Sequence, residues 1–138
     1  MIKQFWINLP VKNISKSKEF FTRLGFKFRD EKGLSPGSAC LMIGECNTVC
    51  MLFEEQIFKS FINNEVADTG KSTEVLLSID AQSREEVDEM AEKAIAAGGA
   101  SNHKPGIMSG PMYGCVFSDP DGHLWNVLYM DMGKMPAE

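Results

Sequence analysis

Few side chains in this sequence could carry acid–base or metal chemistry. Its 138 residues include two histidines, His103 and His123. His123 follows the turn sequence Asp-Pro-Asp-Gly at 119–122. Its ring could serve as a ligand or a base, but the adjacent carboxylates favour an exposed turn histidine bonded to Asp119 or Asp121. His103 lies in a polar stretch, where a surface position is favoured over a ligand contact.

Glu74 is the one candidate for a catalytic residue. It opens a predicted strand, 74–80, directly after the polar run Lys-Ser-Thr at 71–73. On the inner face of that strand the carboxylate would lie in an apolar setting and could abstract a proton next to a carbonyl. At the strand end it would point to solvent instead. The sequence leaves both positions open.

The cysteines indicate a reduced interior rather than a metal centre. The chain has Cys40, Cys46, Cys50 and Cys115. Cys46 and Cys50 are four residues apart, but no second Cys or His pair has the spacing of a zinc site. We therefore expect free thiols, most of them buried as small apolar side chains.

The charge balance excludes several classes of partner. Fourteen Lys and Arg residues against 19 Asp and Glu residues leave a formal net charge of −5. No basic stripe is present, so nucleic acids and anionic membrane surfaces are not expected partners. No apolar run could span a bilayer, and the first residues do not resemble a signal peptide. We expect a cytoplasmic protein.

Apolar periodicity predicts the order β-α-β-β-β in the first half. A strand over 5–11 precedes a helix that Asn13 or Ser15 can cap and that ends at Gly25. The helix buries Phe20, Phe21 and Leu24. Further strands are predicted at 26–28, 39–43 and 48–53. A short amphipathic helix with Phe58, Phe61 and Ile62 is expected in the following connector.

The second half begins in the same order. After the strand 74–80, Ser83 and Glu86 form a capping box that starts a helix ending at Gly98. The predicted buried face of this helix comprises Val87, Met90, Ala91, Ala94 and Ile95. A polar loop is predicted at 101–114, and two strands, 114–118 and 124–130, flank the turn 119–122.

This repetition predicts an α+β fold of two βαβββ modules in tandem. The first module spans 1–53, the second spans 73–132, and residues 54–72 connect them within a single domain, 1–138. The opening strands align at an offset of 68, and the closing strands at about 76. Each module alone is too small to bury its sheet well. We therefore expect the two half-barrel sheets to close against each other and leave a central cleft.

The motifs resemble those of a known family. The run Tyr-Gly-Cys-Val-Phe-Ser-Asp-Pro-Asp-Gly-His-Leu-Trp-Asn-Val at 113–127 resembles the closing hairpin of the vicinal oxygen chelate superfamily. That superfamily contains glyoxalase I, bleomycin-resistance proteins and extradiol dioxygenases. The opening residues 9–21 and the Leu-Gly-Phe at 24–26 are similar to its first strand and helix. The resemblance covers nearly the whole chain.

The resemblance also implies where a metal would bind. Superfamily enzymes hold one divalent metal with four side chains, typically His or Gln, Glu, His and Glu. The matching positions in this chain are Trp6, Cys50 or Met51, Glu74 and Asn126. An indole, a thiol or thioether, one carboxylate and an amide make a poor site for Mg²⁺, Mn²⁺ or Fe²⁺. We therefore expect no metal site of the usual kind and no cofactor.

Two functions follow as hypotheses. The first is a metal-independent protein that binds a small molecule, similar to the drug-sequestering members, in a pocket formed by Trp6, Asn8, Cys50, Glu74 and Asn126. The net charge of −5 favours a neutral or cationic ligand, with Glu74 as the counter-charge.

The second hypothesis is a lyase or isomerase resembling lactoylglutathione lyase. It would retain a degenerate divalent-metal site or use Glu74 alone as base, and a dioxygenase is less favoured. The resemblance further implies a homodimer. It also places the predicted loop 101–114 where it can cover the cleft.

Overall fold

The computed structural model describes residues 1–30 and 32–130. The chain divides into two compact units at the boundary between Asp68 and Thr69. Each unit contains one four-stranded sheet. The fold is α+β and matches tandem βαβββ modules, as the repeat predicts. The boundary falls inside the predicted connector 54–72, and residues 131 and 132 of the predicted second module lie outside the described residues.

The first unit follows the predicted order. It contains β1 (Ile7–Val11), α1 (Ile14–Arg23), β2 (Lys27–Phe28), β3 (Ser38–Ile43), β4 (Thr48–Glu54) and α2 (Glu55–Ile62). The strands lie in the order β1-β4-β3-β2. β1 runs parallel to β4, and the other neighbours are antiparallel.

Local sequence signals explain both ends of α1. The side chain of Asn13 accepts a hydrogen bond from the Lys16 backbone N–H at 3.1 Å, which identifies Asn13 as the N-cap. Gly25, with φ of +98°, has the left-handed conformation that ends the helix. The Glu54 carboxylate accepts a second N-terminal N–H, that of Ile14, at 3.0 Å. This contact joins the end of β4 to the start of α1.

Strand alternation separates the two faces of the first sheet. Leu9 pairs with Leu52, and both are buried together with the aromatic residues of α1. Phe53 lies on the opposite face, where its ring meets the Phe61 ring edge-on at 5.0 Å. The connector helix is therefore α2, as predicted, and it packs on the face that α1 leaves uncovered. Phe61 nevertheless remains 62% exposed.

The second unit repeats the arrangement. It contains β5 (Leu76–Asp80), α3 (Arg84–Ala96), β6 (Ala100–Ser109), β7 (Met112–Ser118) and β8 (Leu124–Met130). Its strands lie in the order β5-β8-β7-β6, with β5 parallel to β8. The turn at 119–122 is confirmed, since the Gly122 N–H donates to the Asp119 carbonyl at 3.0 Å.

The prediction of a loop at 101–114 is wrong. Most of that stretch forms β6, which pairs with β7. The pairing shifts register three times, between Ser101 and His103, between His103 and Gly106, and between Ile107 and Ser109. Such irregularities remove the alternation of polar and apolar residues by which a strand is recognised in sequence. The segment therefore completes the sheet and is not a free loop that could cover a cleft.

Two details of α3 also differ from expectation. Val87, Ala91 and Ala94 are buried as predicted, but Ile95 is 55% exposed. Ser83 caps the helix by accepting the Glu86 N–H at 3.1 Å. The Glu86 carboxylate accepts from the Gln82 N–H at 2.6 Å rather than from Ser83.

The residues that the structure describes include no helix with the length and apolar character needed to cross a bilayer.

Candidate functional site

The two faces of the second sheet differ in what covers them. Trp125, Val127, Phe117 and Cys115 alternate onto the side of α3, where the Cys115 thiol donates to the Val87 carbonyl at 3.9 Å. The opposite side carries the residues that alternate with them. We call this side the Asn126 face; its members include Leu76, Ser78, Val116, Leu124, Asn126 and Leu128. Leu76 is 50% exposed.

Asn126 is a buried amide with an unused acceptor. It pairs with Ser78 of β5 and with Val116 of β7, so it lies in the middle of the sheet. Its Nδ2 donates to the Ser78 hydroxyl at 3.2 Å. Its residue surface is 8% exposed, and its Oδ1 has no hydrogen-bond partner among the described residues. Buried carbonyl oxygens without partners are rare in folded proteins.

The β7–β8 turn is organised by a buried carboxylate. Asp119 Oδ1 accepts the N–H groups of Asp121 and His123, at 3.0 and 3.1 Å. Its Oδ2 accepts the Trp125 indole N–H at 3.1 Å. Burial raises the pKa of Asp119, while the nearby His123 ring and the Trp125 hydrogen bond oppose that rise. This cluster fixes the start of β8 and thereby the position of Asn126.

Neither histidine joins the Asn126 face. His123 was expected to be an exposed turn residue, but it is 8% exposed and packs beside Asp119. The predicted exposure is therefore wrong. The electrostatic interaction of the ring with Asp119 agrees with one of the two predicted partners, and the hydrogen bond between the two residues comes from the His123 backbone N–H. His103 is exposed on β6, and its Nδ1 lies 2.9 Å from the Lys104 carbonyl oxygen.

The residues predicted for the second half of the pocket are not adjacent. Glu74 is exposed and precedes β5, which begins at Leu76 rather than at 74. The parallel register places Ser78, and not Glu74, beside Asn126. Sequence reasoning did not identify Ser78. The one feature of the sequence that could have indicated Ser78 is its alternation with the apolar residues Leu77 and Ile79, which places it on the opposite face of the strand.

The three residues predicted for the first half occupy different surroundings. Cys50 is 2% exposed and lies on the α1 side, packed in the core. Asn8 is exposed on β1, on the other face of the sheet. Trp6 precedes β1 and is 51% exposed. It lines a cavity of ≈ 330 Å³ together with Phe5, Arg29 and residues of the β3–β4 turn.

The side chains do not fit the metal site that the resemblance implies. Among residues 1–30 and 32–130, no three His, Cys, Asp or Glu side chains lie close enough to hold a metal ion together. At the matching positions Trp6 offers an indole, which is not a ligand, and Asn126 offers a neutral amide. Divalent Mg²⁺ or Mn²⁺ needs several hard, preferably charged, oxygen ligands.

Comparison with known families agrees with the fold and the motifs. The family model described as the Glyoxalase/Bleomycin resistance protein/Dioxygenase superfamily matches residues 3–127. The chain belongs to this superfamily. No curated protein matched the chain.

Solved structures extend this result. A hypothetical protein from S. aureus is 33% identical, with a TM-score of 0.82 and coverage of 93% of this chain and 94% of that chain. A superfamily enzyme from Burkholderia phytofirmans PsJN is 20% identical, with a TM-score of 0.74 and coverage of 89% and 94%. A glyoxalase-related enzyme from Fulvimarina pelagi is 18% identical, with a TM-score of 0.77 and coverage of 92% and 88%. The last two share the fold with this chain.

Proposed function

We propose that this superfamily member binds a small organic molecule on the Asn126 face, without the four-ligand metal site. The observation that carries the proposal is the unpartnered Oδ1 of Asn126, buried in the middle of the second sheet. A buried acceptor without a partner costs about 1–3 kcal/mol of folding stability. A ligand that donates a hydrogen bond to this oxygen would recover that cost on binding.

The pair of Asn126 and Ser78 defines what the ligand must offer. The Ser78 hydroxyl oxygen accepts from the Asn126 amide, so its own proton is available for a ligand acceptor. The Asn126 Oδ1 calls for a ligand O–H or N–H. Leu124, Leu128 and Val116 surround the pair on the same face and supply apolar contact. A mainly apolar molecule with one adjacent donor and acceptor fits this arrangement.

The electrostatics favour a neutral or cationic ligand. The chain carries a net charge of −5. Glu74 lies two residues before the start of β5 and is exposed, so it can act as a counter-charge at the margin of the Asn126 face. Cys50, which belongs to the core of the first unit, is omitted from the proposed site.

The lyase or isomerase alternative has less support. A lone general base needs a desolvated position near the reacting carbon. Glu74 is exposed and four residues from Ser78 along the chain, so it lacks that position. The usual metal chemistry of the superfamily needs donors that this chain does not offer at the matching positions.

A binding experiment with Asn126→Leu tests the proposal. Thermal-shift screening would use aromatic antibiotics and thiol adducts of 2-oxoaldehydes as probes, and any hit would be titrated by calorimetry. We expect Asn126→Leu to weaken a hit by about tenfold or more, because the ligand loses its hydrogen bond to the Asn126 Oδ1. Asn8→Leu, an exposed amide in the first sheet, is the matched control. Equal affinity for Asn126→Leu and the native chain would refute this site.

Metal content separates the two hypotheses. We expect purified protein to carry less than one equivalent of metal and to keep its thermal midpoint in chelator. Stoichiometric Ni, Zn, Mn or Fe by elemental analysis would favour the enzyme. In that case Glu74→Ala should abolish turnover of a 2-oxoaldehyde thiol adduct, while the exposed Glu85→Ala should not.

We also propose a cytoplasmic homodimer. Cys40, Cys50 and Cys115 are buried and form no disulfide with one another, which suits a reducing compartment. Light scattering after size exclusion measures the mass directly. A mass of 15.3 kDa, that of one chain, would contradict the dimer.

A further inference from the structure

We infer a second ligand site in the first unit, a cavity of ≈ 330 Å³ that fits a small aromatic carboxylate. It lies where the residues before β1, the end of β2 and the β3–β4 turn come together. The side chains that carry the inference are Phe5, Trp6, Arg29, Cys46, Asn47 and Thr48. None of them belongs to the Asn126 face.

Two aromatic rings provide the apolar part of the cavity. Phe5 is 77% exposed and Trp6 is 51% exposed, although both are large apolar side chains. Neighbouring exposed aromatic residues are typical of surfaces that bind a partner or ligand. An indole offers a broad flat surface on which a second ring can stack. The ligand therefore contains an aromatic ring.

Arg29 supplies the charge. Among the described residues that line the cavity, Arg29 is the only one with a charged side chain. Its backbone N–H donates to the Cys40 carbonyl at 2.9 Å, which ties the residue to β3. Its guanidinium forms no hydrogen bond or ion pair with another described residue. A guanidinium matches a carboxylate with two parallel hydrogen bonds, so an anionic ligand is favoured despite the net charge of −5.

The β3–β4 turn adds polar groups on a fixed support. The Asn47 N–H donates to the Gly44 carbonyl at 3.2 Å and closes the turn. The side chains of Asn47 and Thr48 form no hydrogen bonds within the described part of the chain. They can therefore orient a hydroxyl or amino substituent on the ligand ring.

The volume limits the ligand size. Pockets for small organic molecules occupy about 300–1,000 Å³, so this cavity lies near the lower limit. A single-ring acid such as benzoate fits that limit better than a polycyclic drug. The site thus differs from the Asn126 face in both ligand charge and ligand size.

Cys46 provides a probe of ligand binding in this cavity. It is exposed and lines the cavity, whereas Cys40, Cys50 and Cys115 are buried. Alkylation by iodoacetamide in the native protein should therefore report on Cys46. We expect benzoate to slow this alkylation and to shift the indole N–H resonance of Trp6 in nuclear magnetic resonance spectra, with the Trp125 resonance unchanged.

The contributions of the aromatic ring and of the negative charge of the ligand to affinity can be tested separately. Benzamide keeps the ring without the charge, and acetate keeps the carboxylate without the ring. We expect each to bind at least about fivefold more weakly than benzoate. Arg29→Gln should reduce benzoate affinity by about tenfold, while Arg23→Gln, an exposed arginine at the end of α1, should leave it unchanged.

Several outcomes would overturn the inference. They are an absence of benzoate binding at millimolar concentration, equal binding of benzamide, or unchanged benzoate affinity in Arg29→Gln. Because Arg29 is exposed, Arg29→Gln should fold normally, and a thermal midpoint equal to the native value confirms it. Asn126→Leu should bind benzoate as the native chain does. A result that refutes the benzoate site therefore leaves the proposal for the Asn126 face untouched, and the reverse also holds.

Discussion

The indole N–H of Trp125 donates to Oδ2 of Asp119 at 3.1 Å, and both side chains are buried. The Trp125 ring also stacks on Phe117, with ring planes 8° apart. One carboxylate thus anchors the last strand to the turn before it. Its other oxygen holds two backbone N–H groups of the turn. The position of Asn126, the next residue along β8, depends on this anchor.

Asp119→Asn should destabilise the second unit strongly. The carboxylate of Asp119 accepts three hydrogen bonds. An asparagine amide has only one oxygen to accept them, and its NH₂ group would lie against at least one of the three N–H donors. We expect a loss of about 2–4 kcal/mol in the free energy of unfolding, measured by urea denaturation. Glu85→Gln, an exposed carboxylate on α3, should change stability by less than about 0.5 kcal/mol.

A double-mutant cycle isolates the contact itself. Trp125→Phe removes the indole N–H, so in that background Asp119→Asn should cost less than it does in the native chain. A coupling of about 1 kcal/mol or more is expected for two residues in contact. Strict additivity of the two substitutions would show that the hydrogen bond contributes nothing.

Two glycines that pair across β6 and β7, Gly106 and Gly114, should differ in how much stability they lose on substitution by alanine. A Cβ on Gly114 would lie 2.5 Å from the Val127 carbonyl oxygen and 2.8 Å from Leu128 Cδ2. Gly114→Ala should therefore cost about 1–3 kcal/mol through overpacking. Its partner Gly106 has the Lys104 carbonyl oxygen at 4.0 Å as nearest neighbour. Gly106→Ala should be nearly neutral, and an equal loss at both sites by thermal unfolding would contradict this packing.

Cys115 should make stability fall at alkaline pH. Burial, followed by the nearby Asp88 carboxylate, raises the pKa of this thiol from 9.0 to about 11. The folded chain therefore retains a proton that the unfolded chain loses first, and stability falls as pH rises between those two values. In urea titrations from pH 8 to 10.5, the stability difference between the native chain and Cys115→Ala should narrow. A stability difference that stays constant over this range would contradict the effect of burial on the Cys115 thiol.

Asn126→Leu should raise stability while it weakens binding. The substitution removes a buried oxygen without a partner and keeps the same branched side-chain skeleton, so a gain of about 1 kcal/mol is expected. Ser78 is exposed and can bond water after losing its partner. The thermal midpoint of Asn126→Leu, compared with that of the native chain, shows whether stability rises. A lower midpoint would indicate that the amide serves the fold rather than a ligand.

Much of each unit followed from local sequence patterns. Asn13, Ser83 and Gly25 marked helix ends because capping and left-handed conformations depend on single residues. The alternation of Trp125 and Asn126 between the two faces of β8 also depends only on neighbouring residues. The motif at 113–127 identified the family, and the residue types at the matching positions argued against its usual metal site.

Other features depended on pairing between distant residues. The register of β5 with β8 placed Ser78 beside Asn126 and left Glu74 outside the strand. The irregular strand β6 had no alternation to reveal it, because its form is imposed by hydrogen bonds to β7. Arg29 and Asn47 line the same cavity although they are 18 positions apart in the chain.

The sequence by itself determined the family, the scarcity of metal ligands and all of the elements except β6, since these depend on residue type and local order. Only the tertiary structure decided which polar groups remain without partners. Satisfaction of a hydrogen bond depends on every neighbour that folding brings near, as it does for Asn126 Oδ1.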